Sequence, residues 1–315
     1  MLAIHCCAHR TALVMGDVAR ELPQVKAMDK LFKSVHALFR STSMRAKWER
    51  FAEAHGCTRL KFPLFNTTRW FSRMECIDVL TLNAHTLLLF LKKYKKGWPQ
   101  AEAVYRQLSK NFLLCKLFLL RDMLSPCERL SKEFQSDSLM AHQIHDVLQE
   151  VKEELRTITT SKPGSLKGKR LSAFRSAVEG DAWVVVGKRV QLGGSGNEQQ
   201  LRGFADQFIA AVFSSLDERF GDTELLRCFR IFDPVTYMGM EESERAKFGR
   251  QEFVKLLSHY CNGKQSHRLF AVGKDDLEGL HREFALMKGK MAAQVELGRT
   301  SWACAWSGMK RHAHL

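Results

Sequence analysis

The sequence predicts a mainly α-helical protein, and three observations carry that reading. Apolar residues recur at three- and four-residue intervals through most of the chain, the period of a helix with one buried face. Prolines fall where those periodic stretches break or begin, at Pro23, Pro63, Pro99, Pro126 and Pro234. Runs of β-prone residues are few and short, the clearest being Leu60 to Phe65 and Trp183 to Val186. With 315 residues, 45% hydrophobic and 26% charged, the chain can build one large core or two ordinary ones. That balance excludes an intrinsically disordered chain.

Residues 3–20 read as a first helix, broken at Pro23. A second spans 24–40, with Val25, Met28, Leu31, Phe32, Val35, Leu38 and Phe39 as its apolar stripe. Ser41, Thr42 and Ser43 separate it from a third over 44–54, which Gly56 closes. Leu60 to Phe65 reads as a short or edge strand, because Pro63 cannot donate to a ladder. Thr67 or Thr68 then caps a long helix whose inward face is Ile77, Leu80, Ala84, Leu87, Leu88 and Leu91.

Pro99 opens a helix to about Ser109. Asn111 to Leu124 reads as a buried helix, and Ser125-Pro126 as the start of the next. Ser138 to Thr160 is helical, carrying Met140, Ile144, Val147, Leu148, Val151, Leu155 and Ile158 inward. Loops are expected near 161–170 and 187–197, on either side of a short strand at Trp183 to Val186. Further helices span 197–220, 242–259 and 274–293, and CFRIFDPVTY (228–237) reads as extended or turning around Asp233-Pro234.

Charge narrows the function. The formal net charge is +15, which points to a polyanionic partner, nucleic acid before membrane. Residues 1–130 hold 22 Lys and Arg against 10 Asp and Glu, whereas the remainder holds 27 against 24. The front is therefore the expected binding half. Within it, Lys92, Lys93, Lys95 and Lys96 surround Tyr94, with Trp98 behind. Such a run can grip a phosphate backbone between aromatic platforms, or simply neutralise the negative end of a helix. Arg69-Trp70 sits where an extended run hands over to a helix, a common place for binding residues. The alternative is a solvated arginine and a tryptophan anchored in the core.

Other chemistry is thin. The nine cysteines form no Cys-x-x-Cys pair, so reduced intracellular thiols are expected. MLAIHCCAHR is no signal peptide, and the Asn66-Thr67-Thr68 glycosylation pattern has no secretory route to serve it. The apolar runs 86–91 and 112–120 are too short for a bilayer, so no membrane is expected. The Gly193–Gly196 cluster lacks the Gly-Lys-Ser/Thr ending of a phosphate loop. His142 and His145, with Asp146 adjacent, lack a converging third ligand and read as surface residues. Cys304, His312 and His314 lack the second cysteine of a zinc finger. No catalytic constellation, metal site or cofactor is expected.

A resemblance adds to this. His5-Cys6-Cys7-Ala8-His9-Arg10-Thr11-Ala12-Leu13 resembles the Cys-x-x-His helix of hAT-superfamily transposases, at Cys6 and His9. Thr68-Arg69-Trp70 resembles their Thr-Arg-Trp motif. Phe220, Ile231-Phe232-Asp233-Pro234 and the helix over 197–220 resemble the later part of vertebrate hAT-derived zinc finger proteins, which are domesticated transposases. The similarity fades after about residue 300.

The resemblance implies a fold in two parts. Residues 1–67 would be the C-terminal remnant of a ribonuclease-H-like α/β domain, and 68–315 an all-helical insertion domain. It implies that the family's two aspartates and glutamate, which hold two metals for phosphoryl transfer, lie outside this chain, as do the DNA-reading zinc finger and the C-terminal dimerisation segment. Asp17 recurs in the subfamily pattern without being a ligand. Trp70 would stack on a base near a strand break. Cys6 and His9 would help order the DNA-side helix, or else pack as a buried thiol and imidazole.

The expected function is a non-catalytic nuclear protein that binds nucleic acid or chromatin through Arg69, Trp70, Lys92, Lys93, Lys95 and Lys96. DNA and nuclear proteins are its candidate partners. The alternatives are a protein-interaction scaffold, like relatives described as SUMO-ligase-like, or a truncated gene model with no independent function.

Overall fold

The computed structural model describes residues 6–58, 61–65, 70–159, 166–194, 197–221, 223–245, 247–260 and 274–296. The chain is mainly helical, and it divides into two compact units. The larger comprises residues 4–136 and 149–219, and the smaller comprises 1–3, 137–148 and 220–315. Residues on both sides of position 67 thus share one unit.

Helix α4 (Trp70–Tyr94) organises the larger unit. Its expected stripe is inward, with Ile77, Leu80, Ala84, Leu87, Leu88 and Leu91 all buried. Met74, Cys76, Val79 and Phe90 are buried as well, so the helix is apolar around most of its circumference, as an interior helix must be. By length and composition it could cross a membrane, but most of its apolar window is buried within this fold. Each fully buried leucine contributes about 2 kcal/mol.

Around α4 pack α1 (Cys7–Glu21), α2 (Pro23–Leu38), α3 (Thr42–Glu53), α5 (Pro99–Leu108) and α6 (Asn111–Glu133). Two arginine clamps join these helices. Arg73 of α4 forks onto Asp29 of α2 with two 2.8 Å bonds, the bidentate geometry that suits a carboxylate. Asp17 of α1 accepts from Ser215 Oγ (3.1 Å) and Arg219 Nε (3.0 Å) of α9 (Glu198–Arg219). Burial pushes the Asp17 carboxyl up, but the bonds from Arg219, Ser215 and Arg20 outweigh it and hold it below the usual range.

Several sequence expectations are corrected. Residues 61–65 form no strand. Phe62 and Phe65 instead insert their rings beside Phe39 and Phe32, at centroid distances of 5.1 and 5.8 Å. The Phe62 carbonyl meets His36 Nδ1 (3.1 Å) and the Pro63 carbonyl takes the Cys76 thiol (3.7 Å). Side-chain partners thus replace a ladder. The helix expected to end at Leu124 continues as α6 to Glu133, with Pro126 buried inside it. The lost backbone bond costs about 3 kcal/mol, and burial of Cys127 and Leu130 beyond it offsets that cost.

The segment after 67 is not all-helical. Beyond α7 (Ile144–Thr159) and α8 (Lys169–Ser176), strands β1 (Val178–Glu179), β2 (Ala182–Val185) and β3 (Lys188–Gln191) make an antiparallel sheet. Lys169 and Arg170 open α8 and lie outside the loop expected there; residues 160–165 lie outside the described residues. Trp183 of β2 is buried, its ring edge-on to His85 (5.1 Å) and Phe174 (4.9 Å). His85 Nε2 lies 3.3 Å from the Trp183 carbonyl and 3.1 Å from that of Lys188. One buried imidazole therefore binds the hairpin to α4.

The smaller unit holds a 3-10 turn (Ala141–Gln143), the start of α7, and α10 (Thr223–Cys228), α11 (Pro234–Met238), α12 (Glu242–Arg245), α13 (Arg250–Tyr260) and α14 (Lys274–Glu296). Cys228, Ile231, Leu256 and Phe284 form its core, and Phe253 stacks on Phe284 at 4.4 Å. CFRIFDPVTY is helical rather than extended: α10 runs into a 3-10 turn (Phe229–Phe232), and Asp233 caps α11. Its carboxylate accepts from the Val235 and Thr236 amides (3.1 and 3.2 Å), with Pro234 at the first helical position. The helix expected over 242–259 is divided between α12 and α13. The turn at 247–249 lets Phe248 join Tyr237 and Met291 in a second apolar cluster.

Candidate nucleic-acid interface

The basic run at the end of α4 becomes a site because α3 packs beside it. Lys92, Lys93 and Lys96 are exposed, and Lys95 is half-buried. Lys93 Nζ lies 5.3 Å from the Tyr94 ring centre and 5.9 Å from that of Phe51 on α3. Lys47, also on α3, approaches the Tyr94 ring to 6.0 Å. Lys95 Nζ sits 4.0 Å over Tyr105 of α5. His55 stacks on Phe51 at 4.2 Å. Cations from three elements are thus interleaved with half-buried rings, each pairing contributing about 0.5–1 kcal/mol at an exposed site.

The rings are held from below. Tyr94 packs on buried Phe90 at 4.7 Å, and Phe90 meets Trp48 and Phe51 edge-on at 5.5 Å. This rigid aromatic base fixes where the ammonium groups stand. Among the described residues, Arg45, Lys47, Arg50, Lys92, Lys93, Lys95 and Lys96 make no ion pair. The negative end of α4 accounts for Lys92 and Lys93 as helix-end charges. It does not account for Arg45, which stands near the positive end of α3, or for Lys47. Glu49 and Glu53 are the acidic residues of that helix.

Arg69 lies outside the described residues; Trp70 is the first residue of α4, and its backbone alone is described. Cys6 and His9 are both exposed at the start of α1, which corrects the reading of a buried thiol and a packed imidazole. The adjacent Cys7 is half-buried; burial pushes its thiol up, with Arg10 opposing. The seven cysteines among the described residues are all free. Burial lifts the Cys76 and Cys127 thiols to about 12, so both are unreactive packing groups.

The two histidines expected at the surface are also corrected. His142 is buried and its Nε2 lies 3.3 Å from Asp233 Oδ2. His145 Nδ1 meets Thr223 Oγ1 at 3.1 Å, and Asp146 pairs with Arg227 at 3.0 Å. The three neighbours diverge to three different partners. Among the described residues no group of three or more His, Cys, Asp or Glu side chains could hold a metal.

Sequence reasoning missed Lys47, Arg45, Arg50 and Phe51. They lie some forty residues before the lysine run, and no local pattern connects the two. A weak signal existed in the Arg/Lys content of an otherwise plain short helix. No family model, curated protein or solved structure matches this chain.

Proposed function

We propose that this chain is a non-catalytic, nuclear, nucleic-acid- or chromatin-binding protein of hAT-transposase descent, which holds a phosphate backbone on the α3–α4–α5 face. The observation that supports this reading is the convergence of Lys47, Lys93 and Lys95 on Tyr94, Phe51 and Tyr105 without acidic partners. An ammonium resting on a ring keeps its outward side free for a phosphate oxygen, and the ring edge offers a surface to a base. Descent rests on the Cys6/His9 and Arg69-Trp70 resemblances. The ribonuclease-H-like origin of residues 1–67 and the insertion-domain origin of the rest belong to the same proposal.

The test is a salt series of DNA-binding isotherms on the full chain. Native protein should lose affinity steeply as salt rises. Replacing Lys92, Lys93, Lys95 and Lys96 with alanine should flatten the log–log slope by about 0.9 for each phosphate of duplex DNA that is no longer neutralised. Lys47→Ala should flatten it further. Absence of binding at low salt, or an unchanged slope in both variants, rejects the proposal.

A further inference from the structure

An open groove of about 630 Å3 runs along the larger unit between α4, α6, α8 and the hairpin, within the size range of small-molecule sites. Its walls are Phe118, Phe174 and Trp183, with Leu82 and Val185 at the rim. Leu82 is 59% exposed, an apolar side chain standing where a ligand would cover it.

One end of the groove is polar. Arg121 lines it, 5% exposed. Arg121 gives Nε to Asp78 and Nη2 to Glu128 (2.9 Å), while its buried Nη1 has no hydrogen-bond acceptor. A buried N–H without an acceptor costs about as much as a lost hydrogen bond. Arg170 lines the same end, 40% exposed at its side chain. Its guanidinium is held only loosely, 3.9 Å from Asp78 and 4.0 Å from Asp122. The lining therefore carries two arginines against one aspartate, Asp78.

We propose that this groove binds a small apolar organic anion of the arylcarboxylate class. The ring lies on Phe118, Phe174 and Trp183, and the carboxylate accepts from Arg121 Nη1 and draws in Arg170. A neutral apolar molecule would fill the groove but leave Nη1 without an acceptor. A highly charged polyanion would gain nothing from the aromatic walls. The site uses none of the residues of the α3–α4–α5 face, so its failure and the failure of the nucleic-acid reading are distinguishable.

The test is titration calorimetry of the full chain with 2-naphthoate and with its uncharged counterpart 2-naphthamide. Naphthoate should bind about tenfold more tightly than the amide. Arg170→Gln, at a half-exposed position, should reduce that preference to threefold or less. Ala173→Trp, at an exposed position on the groove wall, should abolish binding of both while near-ultraviolet circular dichroism stays native. The proposal is overturned if the amide binds as tightly as the acid, if no heat appears at millimolar naphthoate, or if Ala173→Trp leaves naphthoate binding intact. DNA binding by both variants should match the native protein.

Discussion

Replacing Gly168 with alanine should destabilise the larger unit by about 3 kcal/mol, and the reason is one carboxylate. Gly168 precedes α8 with φ −151°, a conformation open to any residue, so only space decides the outcome. A Cβ there would collide with Asp122 Oδ2 and stand 3.0 Å from its Cγ. Asp122 cannot simply swing away. It is buried on α6, where it accepts from the Arg170 amide (3.0 and 3.1 Å) and the Leu171 amide (2.9 Å). In effect it caps α8 from a different helix. Hydrogen bonds to a charged group contribute about 1.5–3 kcal/mol each; losing one and straining the other gives the figure above. Urea unfolding followed by circular dichroism, native against Gly168→Ala, measures it. Asp122→Ala supplies the control. If the clash acts through Asp122, the double variant should fall well short of the sum of the two single losses. A Gly168→Ala loss under about 0.5 kcal/mol, or full additivity with Asp122→Ala, refutes the reasoning.

Other consequences are equally direct. Val186 turns between β2 and β3 at φ 48° and is 93% exposed; a β-branched residue there carries about 1–2 kcal/mol of strain. Val186→Asn should raise the thermal midpoint by a few degrees, and no rise would contradict the strain. Burial holds His85 below its ordinary value, although the Trp183 and Lys188 carbonyls pull the other way. A base whose folded value is depressed contributes stability above its unfolded value of about 6.5, and that stability is lost as pH falls toward the folded one. Native protein should therefore weaken between about pH 6.5 and 5, a loss that His85→Gln should lack in denaturant titrations at each pH. Burial pushes the Asp233 carboxyl up, yet bonds from His142, Thr236 and Val235 together hold it below the usual range. Its contribution is present above about pH 4 and disappears on further acidification. Asp233→Ala should cost about 1–2 kcal/mol at about pH 7, less near about pH 2, as read by the same titrations.

How far the sequence alone reaches differs between elements. The faces of α2 and α4 were legible to the residue, because helical period is written every three or four positions and burial follows it. The lysine run was legible too, since composition is local. The segment 60–65 was misread because β-prone residues describe a side-chain preference, whereas a strand needs a neighbouring ladder; here Phe62 and Phe65 found an aromatic cluster instead. Pro126 read as a helix start because the local rule is strong, and the packing on both sides of it was stronger.

The sequence by itself determined a mainly helical chain, the inward faces of its long helices, and a basic front half. Tertiary structure alone decided that Lys47 shares a ring with Lys93, that Asp122 caps a helix forty-odd residues away, and that Arg121 faces a groove with one N–H unspent. Backbone periodicity is set by neighbours along the chain, and so it survives in the letters. The meeting of charges and rings from distant helices is set by which faces exclude water together, and no local pattern carries that choice.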